Sequence, residues 1–82
     1  MELREEILEK LINRTAHILK RNPAELTEAM SFMEDLKAKS VNMVQIITFL
    51  EDELDIEIPL MQIRKKKTIG EAADFLTELC SI

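Results

Sequence analysis

Residues 40–59 read SVNMVQIITFLEDELDIEIP, and their apolar residues recur at helical spacing. One sector of roughly 100° on a helical wheel collects Met43, Ile46, Ile47, Leu50 and Leu54. That sector predicts an amphipathic helix over 41–54 with one side facing a core. Ser40 is the predicted N-cap, since a serine hydroxyl satisfies a free amide at a helix start. Pro59 suits a first helical turn, which predicts a short helix including Leu60, Met61 and Ile63.

Two further helices flank this stretch. The apolar residues between Glu2 and Lys20 fill one half of a helical wheel, which predicts a long first helix. The pair Asn22-Pro23 is expected to end it, because the residue before a proline avoids the helical region. Near the other end of the chain, Thr68 and Glu71 have the spacing of a capping box and predict the start of the last helix.

The remaining segment, residues 21–39, is a long connection with isolated apolar residues. Connections of this length are uncommon in compact domains unless they have a function, and the spaced apolar residues predict a loop pinned to a core. The alternation in residues 55–58 is too short to form a sheet. We therefore expect one all-α domain over residues 1–82. Its fold is a four-helix bundle of three main helices and one short helix, with a long first loop.

Composition excludes several classes of protein. The 82 residues are 46% hydrophobic and 33% charged, which is typical of a folded protein. One cysteine cannot form an internal disulfide, which favours the cytoplasm, and no apolar run is long enough to insert stably into a membrane. A single glycine excludes a glycine-rich phosphate loop, and one histidine with one cysteine leaves no set of metal ligands for zinc.

Charge is unevenly distributed along the chain, whose net charge is −5. Residues 41–60 contain five acids and no base, and a basic run follows at 64–67. An acidic chain without interleaved aromatic residues is a poor nucleic-acid binder, because that binding depends on neutralising phosphates. The acidic cluster either attracts a basic partner or is a solvated face. The basic run is either solvated charge or a contact for a phosphate or an acidic partner.

A second apolar stripe on the central helix lies outside its core sector. Val41, Val44 and Thr48 follow an i, i+3, i+7 spacing, which favours a docking surface beside Ser40 over isolated surface residues. Ser40 has no histidine or lysine dyad of recognisable spacing, so it is not the nucleophile of a hydrolase. A helix start does favour an anion, because its amides are free and the helix dipole is positive there.

Four parts of the chain together resemble the acyl carrier protein family. They are Phe32–Leu36, Ser40, Leu50–Pro59 and Thr68-Ile69. The resemblance implies a four-helix bundle in which a phosphopantetheinyl transferase attaches 4′-phosphopantetheine to Ser40. It also implies that the thiol of this group holds acyl groups as thioesters for acyl-loading, ketosynthase or acyltransferase enzymes. The pathway would be fatty-acid, specialised lipid, lipopolysaccharide or polyketide biosynthesis. We expect a cytoplasmic monomer that is a carrier and not an enzyme.

The chain departs from the family pattern around Ser40. The family usually reads Asp-Leu-Gly-x-Asp-Ser-Leu, whereas Lys37, Lys39 and Val41 here replace the glycine, the aspartate and the leucine. Residues 37–48 contain two bases and no acid, although partners of ordinary fatty-acid carriers are expected to present basic patches. We therefore expect a specialised, non-housekeeping carrier with its own enzymes. The residues expected to dock partners are Lys39, Val41, Val44, Thr48, Glu51 and Asp52.

Two alternative functions stay open on the sequence. One is an unmodified helical interaction module of the same fold, which the departures at Lys39 and Val41 favour. The other is an aminoacyl or peptidyl carrier. The segment Glu57–Pro59 and the overall acidity favour acyl cargo over aminoacyl or peptidyl cargo.

Overall fold

The computed structural model describes residues 3–81, which form four α-helices. They are α1 (Leu3–Leu19), α2 (Ser40–Leu54), α3 (Leu60–Ile63) and α4 (Ile69–Cys80), and a 3₁₀ turn (Pro23–Glu25) lies in the first connection. Between residues 3 and 81 no β-strand forms, and one isolated antiparallel bridge joins Ser31 to Thr68. The predicted all-α bundle of three main helices and one short helix is confirmed. The first residue of the predicted first helix, Glu2, lies outside the described residues.

Helix α1 buries one face and ends through its own backbone. Its buried residues are Ile7, Leu11, Thr15 and Ala16. At its end, Lys20 adopts a left-handed backbone with φ of 58°, and the Arg21 N–H donates to the Ala16 carbonyl at 2.8 Å. These are the features of a Schellman motif. The pair Asn22-Pro23, expected to end the helix, starts the 3₁₀ turn instead, where the Asn22 side chain accepts from a backbone N–H.

The long connection between α1 and α2 is pinned to the core, as predicted. Its buried side chains are Leu26, Phe32, Leu36 and Ala38. Backbone hydrogen bonds also tie it to the start of α4, from the Ile69 N–H to the Met30 carbonyl (3.1 Å) and from the Gly70 N–H to the Glu28 carbonyl (2.9 Å). A Cβ on Gly70 would lie 3.1 Å from the Glu28 Cβ, so this close approach depends on glycine.

The core lies where α1 packs against both α2 and α4. Its largest fully buried apolar side chains are aliphatic: Ile7, Leu11, Ile46, Leu50, Ile63, Ile69 and Leu76. The predicted core sector of α2 is confirmed, since Met43, Ile46, Ile47 and Leu50 are buried and Leu54 is half-buried. The second apolar stripe of α2, formed by Val41, Val44 and Thr48, therefore lies on a different side of the helix from the core.

Neither a membrane span nor a metal cluster is present in the part of the chain that the structure describes. The longest helix there, α1, has 17 residues, and none of the helices is long and apolar enough to cross a bilayer. The His, Cys, Asp and Glu side chains between residues 3 and 81 form no group of three able to hold a metal ion.

The prediction that Ser40 is the N-cap of α2 is wrong by one residue. Lys39 is the N-cap, with an extended backbone (φ −94°, ψ 165°), and Ser40 is the first helical residue. The Asn42 Oδ1 accepts a hydrogen bond from the Lys39 N–H at 2.8 Å. Because Asn42 bonds back to the cap in this way, the helix start does not use the serine hydroxyl.

Candidate functional site

Ser40 is exposed at the start of α2. The chain has three serines, all within the described residues. The Ser31 hydroxyl accepts a hydrogen bond from the Glu34 N–H at 3.2 Å, and the Ser81 hydroxyl donates one to the Thr77 carbonyl at 2.8 Å. Among the hydrogen bonds between residues 3 and 81, none uses the Ser40 hydroxyl. Ser40 therefore differs from Ser31 and Ser81 in having a hydroxyl without a hydrogen bond among the described residues.

The backbone makes the start of α2 electrically positive. The Met43 N–H donates to the Lys39 carbonyl at 3.0 Å, so the amides that precede Met43 in the first turn have no partner inside the helix. The first turn contains no acidic residue, and Lys39 lies next to Ser40. The free amides, the positive end of the helix dipole and the lysine all favour an anion at this point.

A cleft of about 310 Å³ opens beside Ser40. Three segments line it: residues 31–34 of the long connection, Ser40 and Met43 of α2, and the basic residues Arg64, Lys66 and Lys67. The basic run that follows α3 therefore borders the same cleft as Ser40, although 23 residues lie between Ser40 and Arg64 in the chain.

Phe32 brings these segments together. Its ring is only 3% exposed, and its N–H donates to the Lys67 carbonyl at 3.1 Å. Its own carbonyl accepts a hydrogen bond from the Ala38 N–H at 2.8 Å, two residues before Ser40. One buried residue thus fixes both the basic run and the start of α2. The sequence gives no sign of this arrangement, because one bridge residue leaves no alternating pattern to detect.

The predicted stripe on α2 is exposed, as its spacing requires. Val41 is 58% exposed and Val44 is 44% exposed, and Thr48 is exposed as well. Val44 and Thr48 also line a shallow groove between α1 and α2. An apolar surface therefore extends from Ser40 along the solvent side of α2.

Comparison with known proteins identifies the family of this chain. A model of the phosphopantetheine attachment site family matches residues 9–76. The acyl carrier protein of Rubrobacter xylanophilus is 41% identical over 75 residues, which cover 92% of this chain and 93% of that protein. The chain belongs to the acyl carrier protein family. The acyl carrier protein of Caulobacter vibrioides is 37% identical over 73 residues, covering 89% of this chain and 94% of its own length.

A solved structure of an acyl carrier protein from Enterococcus faecalis has the same fold, with a TM-score of 0.78 and 27% identity over 95% of this chain and 99% of that one. The present chain is accordingly a carrier and not an enzyme, and its prosthetic group is 4′-phosphopantetheine. When bound, that group supplies a terminal thiol that holds acyl groups as thioesters. The start of α2 fits it, since an exposed hydroxyl, free amides and nearby cations suit a phosphodiester.

In this carrier, Lys37 occupies the position where the family usually has a glycine. Its backbone is left-handed, with φ of 56°. A side chain in that conformation costs about 1–2 kcal/mol, which a glycine would avoid. The neighbours Leu36 and Ala38 are each only 3% exposed, so burial on both sides holds the turn in place. The chain therefore has a lysine three residues before Ser40 in spite of a backbone cost.

The acidic end of α2 is partly used by the fold of the carrier. Glu51 is half-buried, and its carboxylate accepts a hydrogen bond from the Ile58 N–H at 2.8 Å. Glu53 forms an ion pair with Lys10 at 3.3 Å. Asp52 is exposed and takes part in none of the ion pairs found between residues 3 and 81. Of the two predicted acidic docking residues, Glu51 has a carboxylate bonded to the backbone, whereas Asp52 forms no ion pair among the described residues.

The carrier's own thiol is poorly suited to hold an acyl group. Cys80 is half-buried near the end of α4, and this burial raises the pKa of its thiol above the ordinary value. The thiolate is the reactive form of a cysteine, so a raised pKa lowers its nucleophilicity at neutral pH. Thioester chemistry in this carrier therefore belongs to the prosthetic group.

Phe49 of α2 contacts α1 through Arg14. Its half-buried ring lies under the Arg14 guanidinium, whose carbon is 4.1 Å from the ring centroid. This is the geometry of a cation–π contact. The pair lines the same shallow groove as Val44 and Thr48.

Proposed function

We propose that Ser40 carries the 4′-phosphopantetheine of this carrier. The observation that supports the assignment is its exposed hydroxyl without a hydrogen bond, whereas the other two serines have engaged hydroxyls. The positive start of α2 and the ammonium group of Lys39 favour the phosphodiester that would form there. A phosphopantetheinyl transferase attaches the group, with Ser40 as its acceptor.

Partner enzymes dock on the solvent side of α2 next to this serine. Val41 and Val44 supply exposed apolar contact, and Thr48 extends it along the helix. Lys39 gives this surface a positive charge at one end, and Asp52 gives it a negative charge at the other end. Glu51 contributes less, because one of its oxygens is bonded to the Ile58 N–H.

The carrier delivers acyl thioesters to acyl-loading, ketosynthase or acyltransferase enzymes. Tethering raises the effective concentration of the thioester at whichever enzyme is docked, so that its reaction becomes in effect intramolecular. We place it in the cytoplasm, in fatty-acid, specialised lipid, lipopolysaccharide or polyketide biosynthesis. It acts there as a monomeric single domain over residues 1–82. The lysines at 37 and 39 support a specialised carrier over a general one, since like charges disfavour the basic partners of ordinary carriers.

Intact mass spectrometry tests the attachment site. The wild-type chain is co-expressed with a phosphopantetheinyl transferase of broad specificity, and we expect its mass to increase by one phosphopantetheinyl group. Ser40→Ala should show no increase. Ser81→Ala is the matched control, because it also removes an exposed serine hydroxyl near a helix end, and it should be modified like the wild type.

Two results would contradict the proposal. Modification of Ser40→Ala would place the group on another residue. An unmodified wild-type chain after expression with several transferases, and also in material from its native cells, would instead support an unmodified interaction module of this fold.

A further inference from the structure

Two basic segments border the site of Ser40, residues 37–39 just before it and residues 64–67 across the cleft, and we call their six cations the basic rim: Lys37, Lys39, Arg64, Lys65, Lys66 and Lys67. They are more than half of the eleven lysines and arginines in a chain with a net charge of −5. The two segments of the rim meet because both are hydrogen-bonded to the backbone of Phe32, on its N–H and on its carbonyl. The fold therefore concentrates positive charge at one place on an acidic protein.

Within the described residues the basic rim forms no ion pair, although Lys65 and Lys66 share a groove with Glu71, Asp74 and Glu78. The ion pairs found between residues 3 and 81 use Arg4 and Lys10 as their cations and none of the rim residues. Five of the six rim residues are exposed, and the half-buried Lys66 places its ammonium 5.3 Å from the centroid of the Phe75 ring. One acid, Glu34, lines the cleft against three rim cations. The rim thus has positive charge available for an external anionic group.

Exposed apolar side chains lie within the rim. Met33, which lines the cleft, is 65% exposed, and Val41, next to Ser40, is 58% exposed. Methionine is flexible and polarisable and adapts to different partner surfaces. An apolar centre bordered by charged residues is the usual composition of a protein–protein interface. This combination suits a folded partner better than a free phosphate group, which offers no apolar contact.

We infer that the basic rim docks the acidic face of a partner enzyme, a surface with clustered Asp and Glu side chains around the entrance to its active site. The inference rests on the proposed function, since it is the arm on Ser40 that would enter the partner. Charge complementarity sets the orientation of the carrier on its partner. The basic rim faces the acidic surface, and Asp52, at the far end of the stripe formed by Val41, Val44 and Thr48, points away from that surface. The distance from Ser40 to Asp52 is about 18 Å at 1.5 Å per residue, which exceeds a Debye length of about 8 Å in physiological salt.

A peptide-binding experiment on the unmodified chain tests this inference. The probe is a synthetic helical peptide with glutamates on one face and leucines on the other, and a peptide with lysines in place of the glutamates is its counterpart. Amide chemical shifts of the ¹⁵N-labelled chain report both the affinity and the site. We expect the acidic peptide to shift residues 33–41 and 64–67, with binding that weakens as salt is added. The lysine peptide should not shift them.

Two double variants with equal changes of net charge separate the rim from general electrostatics. Arg64→Glu with Lys67→Glu reverses two exposed rim cations and leaves Lys39 and Ser40 unchanged. Lys20→Glu with Arg21→Glu reverses two exposed cations outside the rim. The rim variant should bind the acidic peptide about 10-fold more weakly, from the loss of two ion pairs and the added repulsion, and the control variant less than about 2-fold more weakly.

The outcomes that overturn the inference are specific. Equal losses in both variants would mean that only net charge matters, and shifts centred outside the rim would place docking elsewhere. Rim-dependent binding to phosphatidylglycerol vesicles without binding to the peptide would identify a membrane surface as the occupant. Since the prosthetic group is absent from this measurement, rim-dependent peptide binding by a chain whose Ser40 is never modified would uphold the docking face and remove only the proposed attachment site.

Discussion

Helices α2 and α4 begin with residues of opposite character at equivalent positions. The first residue of α4 is Ile69, which is completely buried, whereas the first residue of α2 is the exposed Ser40. The N-cap of α4 is Thr68, whose hydroxyl accepts from a backbone N–H, whereas the N-cap of α2 is Lys39, whose side chain makes no capping hydrogen bond. One helix start is built into the core, and the other is open to solvent.

The third residue of each helix extends the contrast. The Glu71 carboxylate of α4 accepts from the Thr68 N–H at 3.2 Å and also from the Lys67 N–H at 2.8 Å. The Asn42 side chain of α2 accepts from the Lys39 N–H alone. The start of α4 thus satisfies its backbone with its own side chains. The start of α2 leaves backbone amides without partners inside the helix, which lowers its stability. The same amides and the exposed Ser40 hydroxyl suit the attachment of a negatively charged group.

Alanine at the first position of each helix should give the largest difference. Ile69→Ala is expected to lower the free energy of unfolding by about 2–5 kcal/mol, since it leaves a cavity in the core. Ser40→Ala should change it by less than about 0.5 kcal/mol, because an exposed side chain without hydrogen bonds is removed. Urea unfolding followed by circular dichroism measures both values. A loss near 1 kcal/mol in Ser40→Ala would show that the serine caps the helix after all.

Removing the cap of α4 should have the next largest effect. Thr68→Ala deprives the Glu71 N–H of its acceptor, and we expect a loss of about 1 kcal/mol in the free energy of unfolding. Thr68→Ser keeps the hydroxyl oxygen and is the control, with most of the stability retained. If the two variants lost the same amount, the methyl group of the threonine and not its hydroxyl would account for the effect.

An N-cap residue whose side chain accepts a hydrogen bond, like Thr68 in α4, should make the start of α2 more stable and reduce its difference from the start of α4. Lys39→Asp places a carboxylate at the N-cap and is expected to raise the free energy of unfolding by about 0.5–1 kcal/mol, through a capping hydrogen bond and the helix dipole. Lys39→Asn separates these causes, because it supplies the cap without the charge. The same Lys39→Asp variant should be accepted better by general fatty-acid enzymes, as measured by their kcat/KM. Unchanged selectivity would mean that this charge does not determine partner choice.

The contrast between the two helix starts also marks what the sequence can predict. The capping box of α4 and the core sector of α2 are local patterns that span four and twelve residues, and both predictions are confirmed. The position of the N-cap at Lys39 was not predicted, because serine is a much commoner N-cap residue than lysine. The side chain of Asn42 accepts a hydrogen bond from the Lys39 N–H, and this contact is not visible in the sequence. The cleft could not be predicted from the sequence. The hydrogen bonds that bring its segments together use the backbone N–H and carbonyl of Phe32, and because backbone groups are common to nearly all residue types they leave no pattern in the sequence.

The smallest expected effect concerns the ion pair that ties the start of α4 to α1. Arg4 pairs with Glu28, whose carbonyl accepts from the Gly70 N–H, and also with Asp74 of α4. The hydrogen bond from Arg4 holds the pKa of the Glu28 carboxyl below its ordinary value. A carboxyl with a lowered pKa in the folded state contributes stability above its unfolded pKa, and this contribution is lost as the pH falls through the folded pKa.

Glu28→Gln measures that contribution, which should be small because the side chains are exposed and screened by solvent. The difference in free energy of unfolding between wild type and Glu28→Gln should favour the wild type at pH 7 and diminish as the pH is lowered through the acidic range. Raising the salt concentration at pH 7 should diminish it in the same way. A difference that is independent of both pH and salt would show that the Glu28 side chain acts through packing and not through its charge. In that case the ion pair with Arg4 would add nothing to the start of α4, and the capping box, the buried Ile69 and the backbone contact between Glu28 and Gly70 would account for its stability.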